Sequence, residues 1–435
     1  MAGLTSGFET TSKFEYAVFD ADQKATQHSD LATTSHASEP AITFALVCDL
    51  DGFEALEAEW GALFERAGRA DQVFQTFAWN WHWAQTFLDA DQTGGRRCPI
   101  AILTGHRDGQ LVTVWPLVLQ RRNGMRELAW MGEPVSQYGD ILVDPVVANH
   151  ATLLLDGWTY LCRQLRPDLA RLRKVRTSAT IAPLLAFLGS MHTAVLEAPF
   201  IDLTRMKSFA AYEERFSTRS RRNRRRQMRR LEEAGPVTFK HLDQGAEAEA
   251  LAGVAIEIKR RWLIDRGHVS PALADTRMAR FMQSVAGSSC HRNGTRVSVL
   301  LSGTTPAAVQ IGFTAKNTRT MHVIAYDRAY EKMAAGALHL EEAIRHALTE
   351  GLDRIDLLAP KADYKKEWAD GAVGVVDHAI GLTIIGRLYA RLYLGYVRER
   401  LKEAVEHLPQ SARQMLVKSH LRAAARRILA LFGLG

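Results

Sequence analysis

The sequence predicts an α/β fold of two lobes, each a mixed central sheet flanked by helices, followed by a helical C-terminal extension. Three observations carry that expectation. A chain of 435 residues is long for one hydrophobic core, so two domains are expected. Runs with strand-like alternation occur in both halves and are interleaved with runs of helical periodicity. Finally, Met321–Trp368 holds a complete strand, turn, helix, strand unit.

That unit sets the frame. In MHVIAYD, Met321, Val323 and Ala325 alternate with His322, Ile324 and Tyr326, and β-branched residues sit mid-run, so a strand is expected. From Gly336 the apolar residues change to helical spacing. Leu338, Ala343, Ile344, Ala347 and Leu348 form a buried stripe, leaving Glu341, Glu342, Arg345 and His346 to solvent. Gly351 stops the helix, because glycine takes the left-handed conformation at little cost. A second strand, Arg354–Leu358, ends before Pro360, and Tyr364 and Lys365 lie just beyond. The first helical turn, Ala334-Ala335-Gly336-Ala337-Leu338, is lined by small residues and leaves its amides unpaired, which suits a pyrophosphate.

Earlier in the chain, residues 1–38 are rich in Ser, Thr, Ala and Asp without an apolar period and read as a disordered leader. A strand is expected from Ala41, then an amphipathic helix carrying Phe53, Leu56, Trp60 and Phe64 on one face. In FAWNWHWAQTF, Trp79, Trp83 and Phe87 recur at helical spacing, which reads as core before it reads as a ligand wall. Strands follow at Pro99–Thr104 and Leu111–Gln120, and a helix at Leu153–Leu165. Phe209–Leu231 reads as one long helix, and eight of the twelve residues Arg219–Arg230 are arginine. Such a run is a solvated face, or a site for polyanionic substrate, headgroups or coenzyme phosphates; nucleic acid is the weakest fit because no aromatic platform accompanies it. Helices over Val254–Gly267 and Thr276–Ala286 precede a hairpin around Gly303. The expected domains are 39–203, 204–383 and a basic amphipathic tail, 384–435.

Composition narrows the class. Cys48, Cys98, Cys162 and Cys290 are scattered, so neither a zinc site nor a disulfide framework is suggested and a cytoplasmic setting is favoured. No apolar run reaches the roughly 20 residues that span a bilayer, and the N-terminus lacks a secretory pattern. From Ile384 onward ten Arg or Lys face three Glu, so this segment alone carries the whole net charge of +7. A basic tail on a balanced remainder suggests an acidic surface as partner.

The wording AYDRAYEKMAAGALHLEEAIRHALTEGLDRIDLL followed by DYKKEW resembles the CelD/BcsL-type acetyltransferases of the GNAT superfamily, which are associated with cellulose and exopolysaccharide biosynthesis and are distantly Fem-like. FQTFAWNWHWAQTF, PVSQYGDILVDP and the arginine-rich helix ending RRLEEAG fit the same family, and the resemblance spans roughly residues 40–390. One departure lies in the phosphate loop, where Met333-Ala-Ala-Gly336-Ala-Leu338 lacks the usual leading polar residue and one small residue.

The resemblance implies two GNAT-like lobes and transfer of an acyl group from acetyl-CoA or a longer acyl-CoA to an amine, without a metal. It places the thioester against backbone N–H groups of Val323, Ile324, Ala325 and Tyr326, and the pyrophosphate at Ala334, Ala335, Gly336, Ala337 and Leu338. Tyr364 is the candidate acid for the leaving thiolate, while Asp140, Glu257 and His322 are candidate bases. Tyr138, Arg260, Arg261, Trp262 and Lys365 are the candidate acceptor-binding residues. Each has a bland alternative: Asp140 as a turn cap, Glu257 as a surface pair one turn from Arg261, Tyr364-Lys365 as a structural contact, His322 as a satisfied strand residue.

The expected acceptor is an amine-bearing sugar of an exopolysaccharide or envelope precursor, or alternatively a lipid amine. Two further readings remain open, Fem-type transfer from aminoacyl-tRNA and an inactive scaffold for a polysaccharide synthase. In the tail, Lys418, Arg422 and Arg426 share one helical face while Leu421, Ile428, Leu431 and Phe432 group on another, which suits an anionic membrane surface. A cytoplasmic protein peripheral to the inner membrane face is the resulting expectation.

Overall fold

A proline decides how the chain divides between two sheets. The computed structural model describes residues 41–88, 99–268, 270–288, 294–409 and 411–413. Its strands are β1 (Thr43–Val47), β2 (Ile102–Arg107), β3 (Gln110–Trp115), β4 (Leu117–Arg122), β5 (Met125–Trp130), β6 (Leu142–Val143), β7 (Leu169–Arg176), β8 (Met191–Asp202), β9 (Val237–Leu242), β10 (Gly294–Ser302), β11 (Thr305–Ala315), β12 (Thr318–Tyr326), β13 (Arg354–Asp356) and β14 (Gly371–Gly381). The single strand expected over Leu111–Gln120 is broken at Pro116, which has no N–H for a ladder. Before it, β3 belongs to a four-stranded sheet ordered β1-β2-β3-β6. After it, β4 starts a ten-stranded sheet ordered β4-β5-β7-β14-β8-β13-β12-β11-β10-β9.

The fold class is the one expected, α/β with mixed sheets flanked by helices. The large sheet runs through both lobes, however, and β14 pairs with β7 on one side and β8 on the other. β8 is the seam, since it also pairs with β13. Tryptophan and phenylalanine fill the space between the early helices and the C-terminal half: Trp60, Phe74, Trp79, Phe281 and Phe313 share one buried cluster. Trp79 and Trp83 are therefore core, with Trp79 meeting Phe281 and Phe313 edge-on at 4.9 and 5.0 Å.

Three sequence expectations are corrected. The helix expected over Phe209–Leu231 is two helices, Phe209–Glu213 and Thr218–Glu233, because Phe216 docks into the core and the Ser217 hydroxyl accepts from Ser220 N, starting a new helix. Glu341, assigned to solvent, is buried and forms an ion pair with Arg224, whose Nε lies 2.9 Å from its carboxylate. Arg224, alone among the arginines of its helix, is buried there, with its guanidinium 4.2 Å from the Phe216 ring centroid. Cys48 is disulfide-bonded, whereas Cys162 is free. Spacing along the chain does not report proximity in space, so the cysteine argument for a reducing compartment is withdrawn. Residues 1–38 and most of the tail helix from Ser411, with Lys418, Leu421, Arg422, Arg426, Ile428, Leu431 and Phe432, lie outside the described residues. Among the described residues no helix is long and apolar enough to cross a membrane.

Candidate functional site between two splayed strands

β12 and β13 run parallel and pair only at Thr318–Thr320 against Arg354–Asp356. Beyond Thr320 the strands part. Leu358 turns away with φ of +60°, and Leu357 N bonds Pro199 O on the β8 side instead of β12. The backbone of β12 from Met321 onward therefore has one edge without a strand partner. A cavity of about 210 Å³ fills the gap, with His322, Tyr364, Lys365, Lys259, Gln310 and Gln137 supplying its polar lining.

A buried knot holds the parting point. The Asp356 carboxylate accepts from the Tyr138 hydroxyl at 2.9 and 3.0 Å, from Arg176 Nη1 at 2.8 Å and from Leu358 N at 2.8 Å. Arg176 also stacks on the Tyr138 ring, 4.8 Å from its centroid. The end of β13 is thus tied to the first lobe through a buried carboxylate.

His322 sits at a β-bulge. Pairing of β12 with β11 runs to Val323↔Ile311 and resumes at Met321↔Gly312, so His322 is the extra residue. Its Nε2 donates to Val135 O at 2.8 Å, which leaves Nδ1 as the lone-pair nitrogen, buried and without a hydrogen-bond partner. The ring packs among Phe74, Trp79 and Phe313. Burial pushes its pKa down to about 4, partly offset by the bond to Val135, so the imidazole is neutral at pH 7. Across the cavity Lys365 Nζ donates to Leu358 O at 2.9 Å and Pro360 O at 3.0 Å. Burial pulls this ammonium down to about 8, with Asp356 opposing and Lys259 assisting. Tyr364 lies half-exposed at the rim.

The other end of β12 leads into the small-residue turn. A 3-10 turn, Arg328–Met333, is followed by Ala334 at φ of +53°, and the helix Ala335–Thr349 begins with no side-chain cap. Ala335 and Leu338 point into a buried cluster with Leu231, so what they offer a ligand is backbone. Gly336 leaves room for a close approach: a Cβ there would lie 3.0 Å from the Tyr326 ring, which would have to give by a few tenths of an ångström. Tyr326 is itself held by Trp262 Nε1, which donates to its hydroxyl at 2.8 Å, and Trp262 lies between Lys259 and Arg266 at 4.6 and 4.4 Å.

Of the residues singled out from sequence, His322, Val323, Ile324, Tyr364 and Lys365 line one cavity, and Tyr326 with Trp262 braces the turn Ala334–Leu338. Ala325 is buried in the core behind the strand. Five others stand elsewhere. Asp140 accepts from Arg69 Nη2, Gln72 Nε2, Thr180 N and Ile181 N, which leaves no free oxygen to take a proton. Tyr138 is spent on Asp356. Glu257 is exposed and pairs with Arg260, whose guanidinium clamps the carbonyls of Leu273 and Asp275. Arg261 is exposed on the same helix.

Sequence reasoning missed Gln310, Lys259 and Asp356. Gln310 is buried on β11, its Oε1 accepting from Ser298 while Nε2 has no partner. A lone amide in the apolar run AAVQIGF was the available signal. One further titratable group, His241, His346 and Glu350, has ligand atoms within 4.8 Å of one another. Arg319 Nη2 already bonds Glu350 at 2.5 Å, so a fixed positive charge stands beside this group.

Residues 218–366 match a family model described as an acetyltransferase (GNAT) domain, a span that runs from the arginine-rich helix through β12, β13 and Lys365. No curated protein matches the chain. Among solved structures, the crystal structure of FemX aligns with a TM-score of 0.51 at 11% identity, covering 77% of this chain and 98% of that one. The structure of L-PGS from Bacillus licheniformis gives 0.46 at 12%, covering 77% and 97%. A tandem GNAT protein from the clavulanic acid biosynthesis pathway gives 0.42 at 12%, covering 78% and 98%. At 11% identity the likeness to FemX is one of fold alone.

Proposed function

We propose that this chain, with its GNAT acetyltransferase domain, is an acyl-CoA-dependent N-acyltransferase acting on an amine of an exopolysaccharide or cell-envelope precursor. The parting of β12 from β13, with the uncapped helix start Ala335–Thr349 at one end and His322 at the other, is the observation that carries the transfer reading. A pantetheine arm laid in the gap can hydrogen-bond the free edge of β12, with its pyrophosphate on the amides after Ala334. The thioester carbonyl then meets backbone N–H groups of Val323–Tyr326 as charge develops on its oxygen. His322 Nδ1 takes the proton that the attacking amine loses, and Tyr364 gives one to the departing thiolate, so the proton count balances. The Gln310 amide orients the acyl or pantetheine carbonyl. The acceptor class rests on the resemblance to CelD/BcsL-type proteins.

A second reading has its own observation. Ala272, Leu273, Met278, Leu340 and Leu357 give the cavity an apolar side, which suits a longer acyl chain and a lipid amine. Thiol release should be followed with acetyl-CoA and long-chain acyl-CoA against amino sugars and long-chain amino alcohols. Release with a short donor and an amino sugar supports the first reading; long-chain selectivity supports the second. Absence of release with every CoA donor removes both and leaves aminoacyl-tRNA transfer or a scaffold.

A further inference from the structure

After β14 the chain forms a helix laid on the large sheet: Ile384–Leu388 is α-helical, Tyr389–Val397 π-helical and Arg398–Glu406 α-helical. Its inner face buries Ala390 and Leu394 against Leu169 and Ala379. The outer face is apolar as well. Ile384 is 76% exposed, Ile385 66%, Leu388 54%, Leu392 62% and Tyr396 61%. The wider turn of a π-helix keeps residues four apart nearly in line, so Leu388, Leu392 and Tyr396 form one ridge. Single exposed apolar residues need no explanation, whereas a ridge of three with Ile384 and Ile385 exposed at its start marks an interaction surface.

Charge decides what covers it. Arg387 and Arg391 are exposed beside the ridge, the Arg400 guanidinium stands 5.2 Å from the Tyr396 ring centroid, and no Asp or Glu occurs between Ile384 and Arg398. Residues 411–435 carry five Arg or Lys and no acidic residue, so that segment folded back would set like charges together. A second copy meeting through the same face would do the same. An apolar surface that also carries negative charge satisfies both features at once.

We propose that the ridge Ile384–Tyr396 docks on an anionic lipid bilayer, its apolar side chains entering the headgroup–acyl boundary while Arg387, Arg391 and Arg400 reach lipid phosphates. This does not depend on the acyl-transfer reading, and its test measures binding rather than turnover. The full chain is floated with phosphatidylglycerol-containing vesicles and with phosphatidylcholine vesicles. It should rise with the former and weakly with the latter, and added salt should release it. Leu388→Glu with Leu392→Glu should weaken binding at least tenfold with an unchanged circular dichroism spectrum. Arg387→Gln with Arg391→Gln should flatten the salt dependence.

Undiminished flotation of the leucine variant, or no flotation of the wild type, overturns the proposal. So does a wild-type dimer that the leucine variant converts to monomer, which would assign the ridge to a second copy. Labelling of Leu392→Cys that occurs only after Ser411–Gly435 is removed would assign it to the tail.

Discussion

The two ends of the β12–β13 pair are opposites. Where Thr318–Thr320 meet Arg354–Asp356 the strands are hydrogen-bonded, and the last residue, Asp356, is fastened to the first lobe by two donors, the Tyr138 hydroxyl and Arg176 Nη1. A few residues on, the same strands share no bond and enclose a cavity with an unpaired imidazole nitrogen and an unpaired amide. Unsatisfied polar groups are costly inside a protein. They stand where β13 leaves β12 for β8, with Leu357 N bonded to Pro199 O. The site is thus made by withheld pairing, and a neighbouring buried polar knot keeps that geometry in place.

The comparison can be broken at the closed end first. Asp356→Ala leaves Tyr138 without its acceptor and Arg176 short of a counter-charge, and should cost about 3 kcal/mol in urea denaturation, with cooperative unfolding retained. At the open end His322→Gln keeps a donor for Val135 O but removes the free ring nitrogen. Turnover should fall by about 10²–10⁴ with KM for acyl-CoA nearly unchanged, while the melting temperature moves little; an equal loss of folding stability would make His322 structural.

A smaller effect is expected at the turn. Gly336→Ala sets a methyl 3.0 Å from the Tyr326 ring and should weaken acyl-CoA binding about tenfold in calorimetry, equivalent to about 1.4 kcal/mol. The pH dependence separates the two ends in another way. In the fold His322 titrates near 4 against 6.5 in the unfolded chain. The unfolded state therefore binds the proton first, so the stabilisation is complete above pH 6.5 and is lost as pH falls from 6.5 towards 4. His322→Gln should reduce that slope. The least effect belongs to Glu257→Ala, an exposed pair with Arg260: below about 0.5 kcal/mol and no change in turnover. A large loss of turnover there would return Glu257 to the site.

Much of this was legible before any coordinates. The alternation in MHVIAYD, the helical stripe after Gly336 and the stop at Gly351, which does take a positive φ, are local properties, and they located β12, the helix and the turn between them. His322, Tyr364 and Lys365 were singled out because they belong to that unit and resemble a family pattern, and they do line one cavity. Asp140 and Tyr138 were drawn towards the cleft by resemblance, yet their chemistry is consumed by Arg69 and Asp356, partners 71 and 218 residues away. Lys259 escaped notice for the converse reason, since nothing within its own helix distinguishes a cavity-facing ammonium from any other, whereas Gln310 left one local sign, a lone amide in an apolar strand.

Local backbone preference, hydrophobic period and charge therefore settled which segments are strands and helices, where the small-residue turn lies, and that the last fifty residues are basic. Only the tertiary structure decided that β14 crosses into the first lobe's sheet, that Arg224 and Glu341 leave solvent for each other, that β12 and β13 part after Thr320, and that the ridge after Ile384 faces outward. The physical reason is range. Helical and strand periods act over a few residues, whereas burial, ion pairing and strand register depend on which distant segments arrive at the same place.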